Sequence, residues 1–416
     1  MRPMSSVARR LAALSVLLLS LAIIAVVGLR ATGIGLLASP TPLPATATPR
    51  PSEPEPSQDL LTAFDKIEEQ VVQLRNLPAA DIGPPQLMTR AELAETLPAL
   101  LEPALDNATL LALGLLTADQ DIVALTEQLY IAQVAGYYDF DAKRMVVVSD
   151  AGLTPAAQIT YAHEYTHALQ DAAFDSSAAQ EAVAGQRDRE LALLALEEGD
   201  ATTSMVLWAI GHLSAEELAG VAQTPVPDMS GIPPWMVRLL EFPYLSGAEF
   251  VGQLYASGGW EAVDAAYAAL PVSTEQVLHP AAYTDREAPM PVEPLDLWSA
   301  VGADWGHASD TTLGEAWIAT WLEGIGVTRT TADRAAAGWR CDRLTVATKA
   351  DGGWALGWRL AWDTPIDATE FGTAYAGIQS TLSSATRLVN VSDLETVVLR
   401  ASSPALLETI GSLAGN

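Results

Sequence analysis

Cysteine is nearly absent from this sequence: Cys341 stands alone. A single thiol builds neither a disulfide framework nor a cysteine-based metal site, and no lipid-bearing cysteine lies near the N-terminus. A Cys–His hydrolase would need Cys341 itself as nucleophile, whereas an isolated cysteine is more often a small buried hydrophobe. Positive charge is scarce too. The 22 Lys and Arg stand against 51 Asp and Glu, a formal net charge of −29. So acidic a chain repels phosphate backbones, which argues against nucleic acid as a partner, and it suits an extracellular or salty medium. Histidine is also rare, five in 416 residues.

What is present begins with an uncharged apolar run over residues 11–29, LAALSVLLLSLAIIAVVGL. As a helix it would extend roughly 28 Å, close to a bilayer's hydrocarbon thickness. Arg2, Arg9 and Arg10 precede it. The positive-inside rule then predicts a single-pass anchor over residues 1–30, with a cytoplasmic N-terminus, a membrane contact through that helix, and an extracytoplasmic main domain. The run exceeds a signal-peptide core and no small-x-small cleavage site follows it closely, so an anchor is expected over a cleaved signal. Residues 31–58 are the Pro/Thr-rich linker, and the stretch over 40–57, PTPLPATATPRPSEPEPS, cannot form a core. It reads as a semi-rigid spacer of roughly 55 Å reach.

The folded body is expected from residue 59. LLTAFDKIEEQVVQLRNL has an amphipathic helical pattern, and residues 89–97 and 125–134 read as further helices. Val134-Ala-Gly-Tyr-Tyr-Asp-Phe and Arg144-Met-Val-Val-Val-Ser then read as two strands joined by Asp141-Ala-Lys, a hairpin. Such a hairpin floors a core or offers its edge to an extended peptide.

Next comes Tyr161-Ala-His-Glu-Tyr-Thr-His-Ala-Leu-Gln-Asp171, after an N-capping Thr154 and a Pro155 at the first helical position. His163 and His167 are one turn apart, on one face of the expected helix, where both imidazoles can reach one ion. Glu164 lies about 100° further round and can stand beside the metal as a general base. A second helix opens near Asp188 and carries Glu197-Glu198-Gly199-Asp200-Ala201. A glycine inside a helix costs about 1 kcal/mol, and close approach to the metal-binding helix would account for Gly199. Glu198 would then complete a His₂Glu set with a fourth position for water.

His163-Glu-Tyr-Thr-His167 followed by Glu198-Gly-Asp-Ala resembles the gluzincin metallopeptidases, the thermolysin-like superfamily. It resembles more closely a set of membrane-anchored bacterial proteins with the same motif pair. Weaker likeness to that set extends through Gly136-Tyr-Tyr-Asp, Phe242-Pro-Tyr, Ser273-Thr-Glu-Gln-Val-Leu-His-Pro280 and Gly338-Trp-Arg-Cys-Asp-Arg. The resemblance implies a Zn²⁺-dependent endopeptidase acting on a peptide or protein substrate, with His163, His167 and Glu198 as ligands and Glu164 as base. Thermolysin-like enzymes carry an Asp four residues after the ligand Glu; here that position is Thr202, so support for the ligands must come from elsewhere, with Glu197 or Asp200 as candidates. A second electrophile for the developing oxyanion is also required. His279 is the first candidate, then Tyr283, Tyr137 and Tyr138. Ser273-x-x-Gln276 has capping-box form, so Glu275 to His279 should be a helical turn stopped by Pro280, and His279 could equally just cap it. His212 reads as a favourable charge at a helix end and His307 as loop.

The remaining pattern predicts helices over 247–257, 260–270 and 313–325. LTVATK, ALGWRLAWD, a helix over 365–380, TRLVNV, TVVLRA and a helix over 404–413 follow. The expected class is α+β: a mainly helical zincin-type core over 59–337 with a small hairpin or sheet ahead of the His-Glu-x-x-His helix, and a C-terminal β-β-α-β-β-α module over 338–416. The alternative to a peptidase is a non-catalytic surface protein that retains the metal scaffold for binding or structure. Glu164 discriminates, because a scaffold needs no base between its ligands.

Overall fold

Two devices written into the sequence start the central helix. The Thr154 hydroxyl accepts the Ala157 N–H at 3.2 Å, Pro155 occupies the first helical turn, and the helix runs to Phe174. It stops where Asp175 takes a left-handed conformation (φ 56°) and turns its carboxylate to the Ala178 N–H, starting the next helix. The structure is a computed structural model that describes residues 14–16, 58–96, 103–148, 152–224 and 228–415.

In chain order the elements are β1 (Leu14–Val16), α1 (Gln58–Arg75), β2 (Gly83–Met88), α2 (Arg90–Thr96), α3 (Asn107–Leu113) and α4 (Ile122–Gln133). The hairpin β3 (Val134–Asp139) and β4 (Arg144–Val148) follows, then α5 (Pro155–Phe174), α6 (Ser176–Val183), α7 (Arg187–His212), α8 (Ala215–Ala222) and α9 (Pro234–Ala268). Short helices α10 (Thr274–Leu278), α11 (Pro280–Thr284) and α12 (Leu297–Val301) lead to β5 (Gly306–Thr311), α13 (Glu315–Gly324) and α14 (Arg329–Ala336). The chain closes with β6 (Trp339–Thr348), β7 (Trp354–Trp362), α15 (Pro365–Gln379), β8 (Ala385–Ser392), β9 (Glu395–Ala401) and α16 (Pro404–Ile410). The class is α+β.

Two sheets form. In the first, the expected hairpin pairs β3 and β4 antiparallel, with Gly136 opposite Val147 and Tyr138 opposite Met145. Asp139 fixes its turn by accepting the Asp141 and Ala142 N–H groups at 3.1 and 3.0 Å. Strand β2 joins β4 in parallel and β1 joins β3 antiparallel, giving the order β1-β3-β4-β2. The parallel partner was not legible, because Gly83-Pro84-Pro85 reads as loop and only the neighbouring strand makes it an edge.

The expected membrane anchor is corrected here. Among the described residues no helix is long and apolar enough to cross a membrane. Of the apolar run at 11–29, Leu14–Val16 is a strand paired with β3, and the rest lies outside the described residues. A long apolar run satisfies a span criterion on composition alone, while a strand against an available edge satisfies the same backbone groups another way. The proline-rich segment at 40–57 likewise lies outside the described residues.

Helices α5 and α7 are buried on nearly every side, which is why their sequences lack a strong one-sided stripe. Helix α9 is in fact two helices: Gly258 and Gly259 leave helical geometry, at the break expected between 257 and 260. The second sheet is antiparallel with order β5-β6-β7-β9-β8. Its fifth strand, β5, comes from ahead of residue 338, and one apolar cluster runs from Leu110 and Trp321 to Trp358 and Val398. Asp342 on β6 ties the two regions together. Its carboxylate accepts the Leu313 and Gly314 N–H groups (3.0 and 2.9 Å) and the Trp339 and Trp358 indoles (3.0 and 2.8 Å).

Candidate metal centre

Helix α5 presents His163 and His167 on one face, as i,i+4 spacing requires, and their Nε2 atoms lie 3.1 Å apart. Helix α7 brings Glu198 against them. Its Oε2 is 3.0 Å from His163 Nε2 and 3.5 Å from His167 Nε2. Ligands held at about 2.0–2.1 Å by a tetrahedral zinc ion sit about 3.3 Å from one another. The triangle of 3.0, 3.1 and 3.5 Å therefore has the size and donor set of a His₂Glu metal site. All three residues are at most 2 % exposed. Among the described residues no other group of three His, Cys, Asp or Glu ligands converges in this way.

Burial and charge oppose one another at each of the three groups. Burial alone would lower the pKa of His167, but the Glu198 carboxylate overcomes it and raises the ring to about 10. Burial would raise Glu198, yet the two imidazoles pull it down to about 2. His163 is lowered, by burial first, against the pull of Glu198. Glu164 is also buried, and burial together with the Glu198 charge drives its pKa well above the ordinary carboxylate value, against the opposing pull of His167. Strand β3 passes directly over it, since a Cβ built on Gly136 would lie 3.5 Å from Glu164 Cγ.

The support of the two imidazoles differs. His167 Nδ1 lies 2.8 Å from Gln170 Oε1, and the Gln170 amide donates to the Glu197 carbonyl at 2.9 Å. That second bond fixes which way the amide faces, so His167 Nδ1 donates to it and Nε2 is the atom turned to the centre. His163 Nδ1 is buried with no hydrogen-bond partner among the described residues. Instead the Tyr244 ring lies nearly parallel to the His163 ring, with centroids 6.1 Å apart and planes 25° apart. Tyr130 stands close enough to Glu198 to feel its charge, and burial and then that charge push its phenol up to about 12.

Neither residue expected to support the ligands does so with its side chain. Glu197 turns its carboxylate to Gln180 at 2.9 Å and serves His167 only through its carbonyl. Asp200 faces away, receiving Arg75 at 2.7 and 3.1 Å and the Tyr267 hydroxyl at 2.8 Å. Arg75 is fully buried, reaches Asp264 at 2.6 Å and lies over the Trp260 ring, so it pins α7 between α1 and α9. Gly199 does permit a close approach, but to α9 rather than to the metal-binding helix. A Cβ there would meet the Gly247 carbonyl oxygen at 2.2 Å, and one on Gly247 would meet Ala195 O at 2.1 Å.

Three of the four proposed electrophiles, His279, Tyr283 and Tyr138, make a hydrogen bond or ion pair to a group outside the trio. His279 pairs through Nε2 with Glu315 at 2.9 Å and is half-exposed. The Tyr283 hydroxyl donates to Ala269 O at 2.9 Å, and that of Tyr138 to Asp171 at 3.1 Å. Tyr137 is buried among Met88, Leu93 and Val146. His212 packs on Trp208, and His307 stacks on Trp298. Cys341 is buried, and burial raises its thiol to about 11, which disfavours the thiolate. Gln170 and Tyr244 were missed. Gln170 sits one turn beyond His167 and was legible as a helix neighbour, whereas nothing local distinguishes Tyr244 from a core aromatic.

The motif around Ser273–Pro280 serves a structural hub. The Thr274 N–H and hydroxyl both donate to the buried Asp188 at the start of α7, and the same hydroxyl accepts the Ala316 N–H at the start of α13. No curated protein and no solved structure matches the chain. Residues 301–405, which carry the whole second sheet and none of the trio, match a family described as a domain of unknown function, DUF8575.

Proposed function

We propose that the protein is a zinc-dependent peptidase of gluzincin type, with His163, His167 and Glu198 as metal ligands and Glu164 as general base. The observation that carries this reading is the convergence of two imidazole Nε2 atoms and one carboxylate oxygen within 3.5 Å, with a second carboxylate next to them in sequence. Bound there, zinc would supply Lewis-acid charge that polarises a peptide carbonyl and acidifies a water.

The rest falls to the chain's own residues. Glu164, buried next to His163, takes the water's proton and delivers it to the leaving amine. Gln170 keeps His167 Nε2 turned inward. Glu198 closes the ligand set from a different helix and keeps the imidazoles charge-compensated.

A second reading has its own support. Structural zinc sites are closed, and all three ligands are buried to 2 % or less, which favours a metal scaffold without turnover. Three ligands rather than four, and a carboxylate between the histidines, favour catalysis. Metal analysis of wild type and Glu164→Gln, with an unfolded protein as substrate, separates the two. The peptidase reading expects one zinc in both proteins and hydrolysis only by the wild type. Zinc in both with cleavage by neither establishes the scaffold.

A further inference from the structure

The two ligand histidines are held by different means. His167 has an oriented amide on Nδ1, itself anchored on a backbone carbonyl. His163 has no such partner among the described residues: its Nδ1 is buried without a hydrogen bond to any of them, and Nε2 is the atom that faces Glu198 and His167. A ligand imidazole usually has its orientation fixed by a hydrogen bond on the remote nitrogen. Here that device is missing for one of the two rings, and something else must stop it turning about its side-chain bonds.

The neighbour that lies along the ring is Tyr244. It is 3 % exposed, and its plane is within 25° of the imidazole plane at a centroid separation of 6.1 Å, inside the range of offset aromatic stacking. Its position is set by backbone rather than by chance. Tyr244 is one turn ahead of Gly247, where α9 meets the backbone of α7 at Ala195 and Gly199. A helix seated that closely on the ligand helix cannot slide, so the tyrosine ring is held at a fixed height beside His163.

Building on the metal-centre reading above, we infer that Tyr244 is the positioning residue of His163, with its aromatic face replacing the hydrogen bond that His163 Nδ1 lacks. What matters is then the ring, not the hydroxyl. Tyr244→Phe keeps the face; Tyr244→Leu removes it; Tyr244→Met fills similar volume with a flexible chain and serves if the leucine variant does not fold.

The test uses the full chain and zinc alone as the probe. Zinc affinity is measured by competition with a chromophoric chelator, and the metal-free melting temperature is recorded for each variant. The visible spectrum of the cobalt(II)-loaded protein reports ligand geometry independently of activity. Tyr244→Phe is expected within about threefold of wild-type affinity with an unchanged cobalt spectrum. Tyr244→Leu or Met is expected to lose roughly 10–100-fold, the usual effect of losing an outer partner of a metal ligand, with an altered spectrum. Wild-type affinity and spectrum in the Leu or Met variant overturn the inference, as does a loss in Tyr244→Phe as large as in Tyr244→Leu. If the wild type itself takes up no zinc, the metal reading fails and takes this inference with it. If all variants bind zinc equally, only this inference fails.

Discussion

His163 and Glu198, 35 residues apart on two helices, meet with Nε2 and Oε2 3.0 Å apart, both at 1 % exposure. Glu198 Oε2 also faces His167 Nε2 at 3.5 Å, so one carboxylate offsets the burial of both imidazoles. Glu198→Ala is expected to abolish stoichiometric zinc binding, a larger effect than the roughly 10–100-fold that follows loss of an outer partner. Metal content after dialysis against a weak chelator checks it. Retention of one tightly held zinc by the alanine variant would remove Glu198 from the ligand set.

Gln170 joins His167 Nδ1 to the Glu197 carbonyl. Gln170→Leu keeps approximate volume but leaves His167 Nδ1 buried without its partner and removes the side-chain donor to the Glu197 carbonyl. Zinc affinity should fall roughly 10–100-fold, and the metal-free protein should lose about 1–3 kcal/mol of stability. Gln170→Glu retains an acceptor for Nδ1 and should preserve more of the affinity than leucine does. Chelator competition and urea denaturation measure the two effects.

Gly199 and Gly247 interlock α7 with α9 at distances that leave no room for a methyl group against backbone. Alanine at either position forces the helices apart and is expected to cost at least about 1–3 kcal/mol, the range for overpacking a filled interior. Because Glu198 precedes Gly199, zinc affinity should fall in the same variant. A Gly199→Ala protein with unchanged urea midpoint would show that the helices separate freely.

Asp188 is buried, and burial raises its pKa to about 8 against the bonds from Thr274, with the charges of Asp342 and Glu315 adding to the rise. The folded value exceeds the unfolded one near 4, so the folded state holds the proton more tightly. The stability linked to this proton is fully present below about pH 4 and is lost as pH climbs through about 8. Asp188→Asn still accepts from Thr274 but does not ionise. In metal-free protein, its melting temperature relative to wild type should rise between pH 5 and pH 9. A difference that stays flat over that interval would rule out Asp188 as the titrating group.

Several of these features were open to reading from local sequence. Thr154-Pro155 and the i,i+4 histidines concern neighbours along one helix, where 3.6 residues per turn already fix which side chains share a face. The β3–β4 hairpin was legible for the same reason, since Asp139 caps its own turn. The break at Gly258–Gly259 needed only two adjacent glycines. Residues that act across elements were not legible in this way. His279 looked like a candidate electrophile because a lone histidine beside a proline carries no sign of its partner, and that partner proved to be Glu315. Asp200 looked like support for a ligand because it lies two residues from Glu198, yet side chains i and i+2 diverge round a helix, and its charge faces Arg75 instead. The apolar run at 11–29 met a membrane-span criterion that counts residues and not partners, while three of its residues pair with β3.

By itself, then, the amino-acid sequence determined that His163 and His167 share a helical face, that Glu164 stands beside them, and that a glycine interrupts the helix carrying Glu198. Those are consequences of backbone periodicity, and no other part of the chain can alter them. Only the tertiary structure decided which helix Gly199 admits, that Glu198 and not Glu197 turns to the imidazoles, and that one ring rests on an amide while the other rests on Tyr244. Each of those depends on how closely two remote helices approach, a distance set by the packing of α7 against α9 that no local pattern encodes.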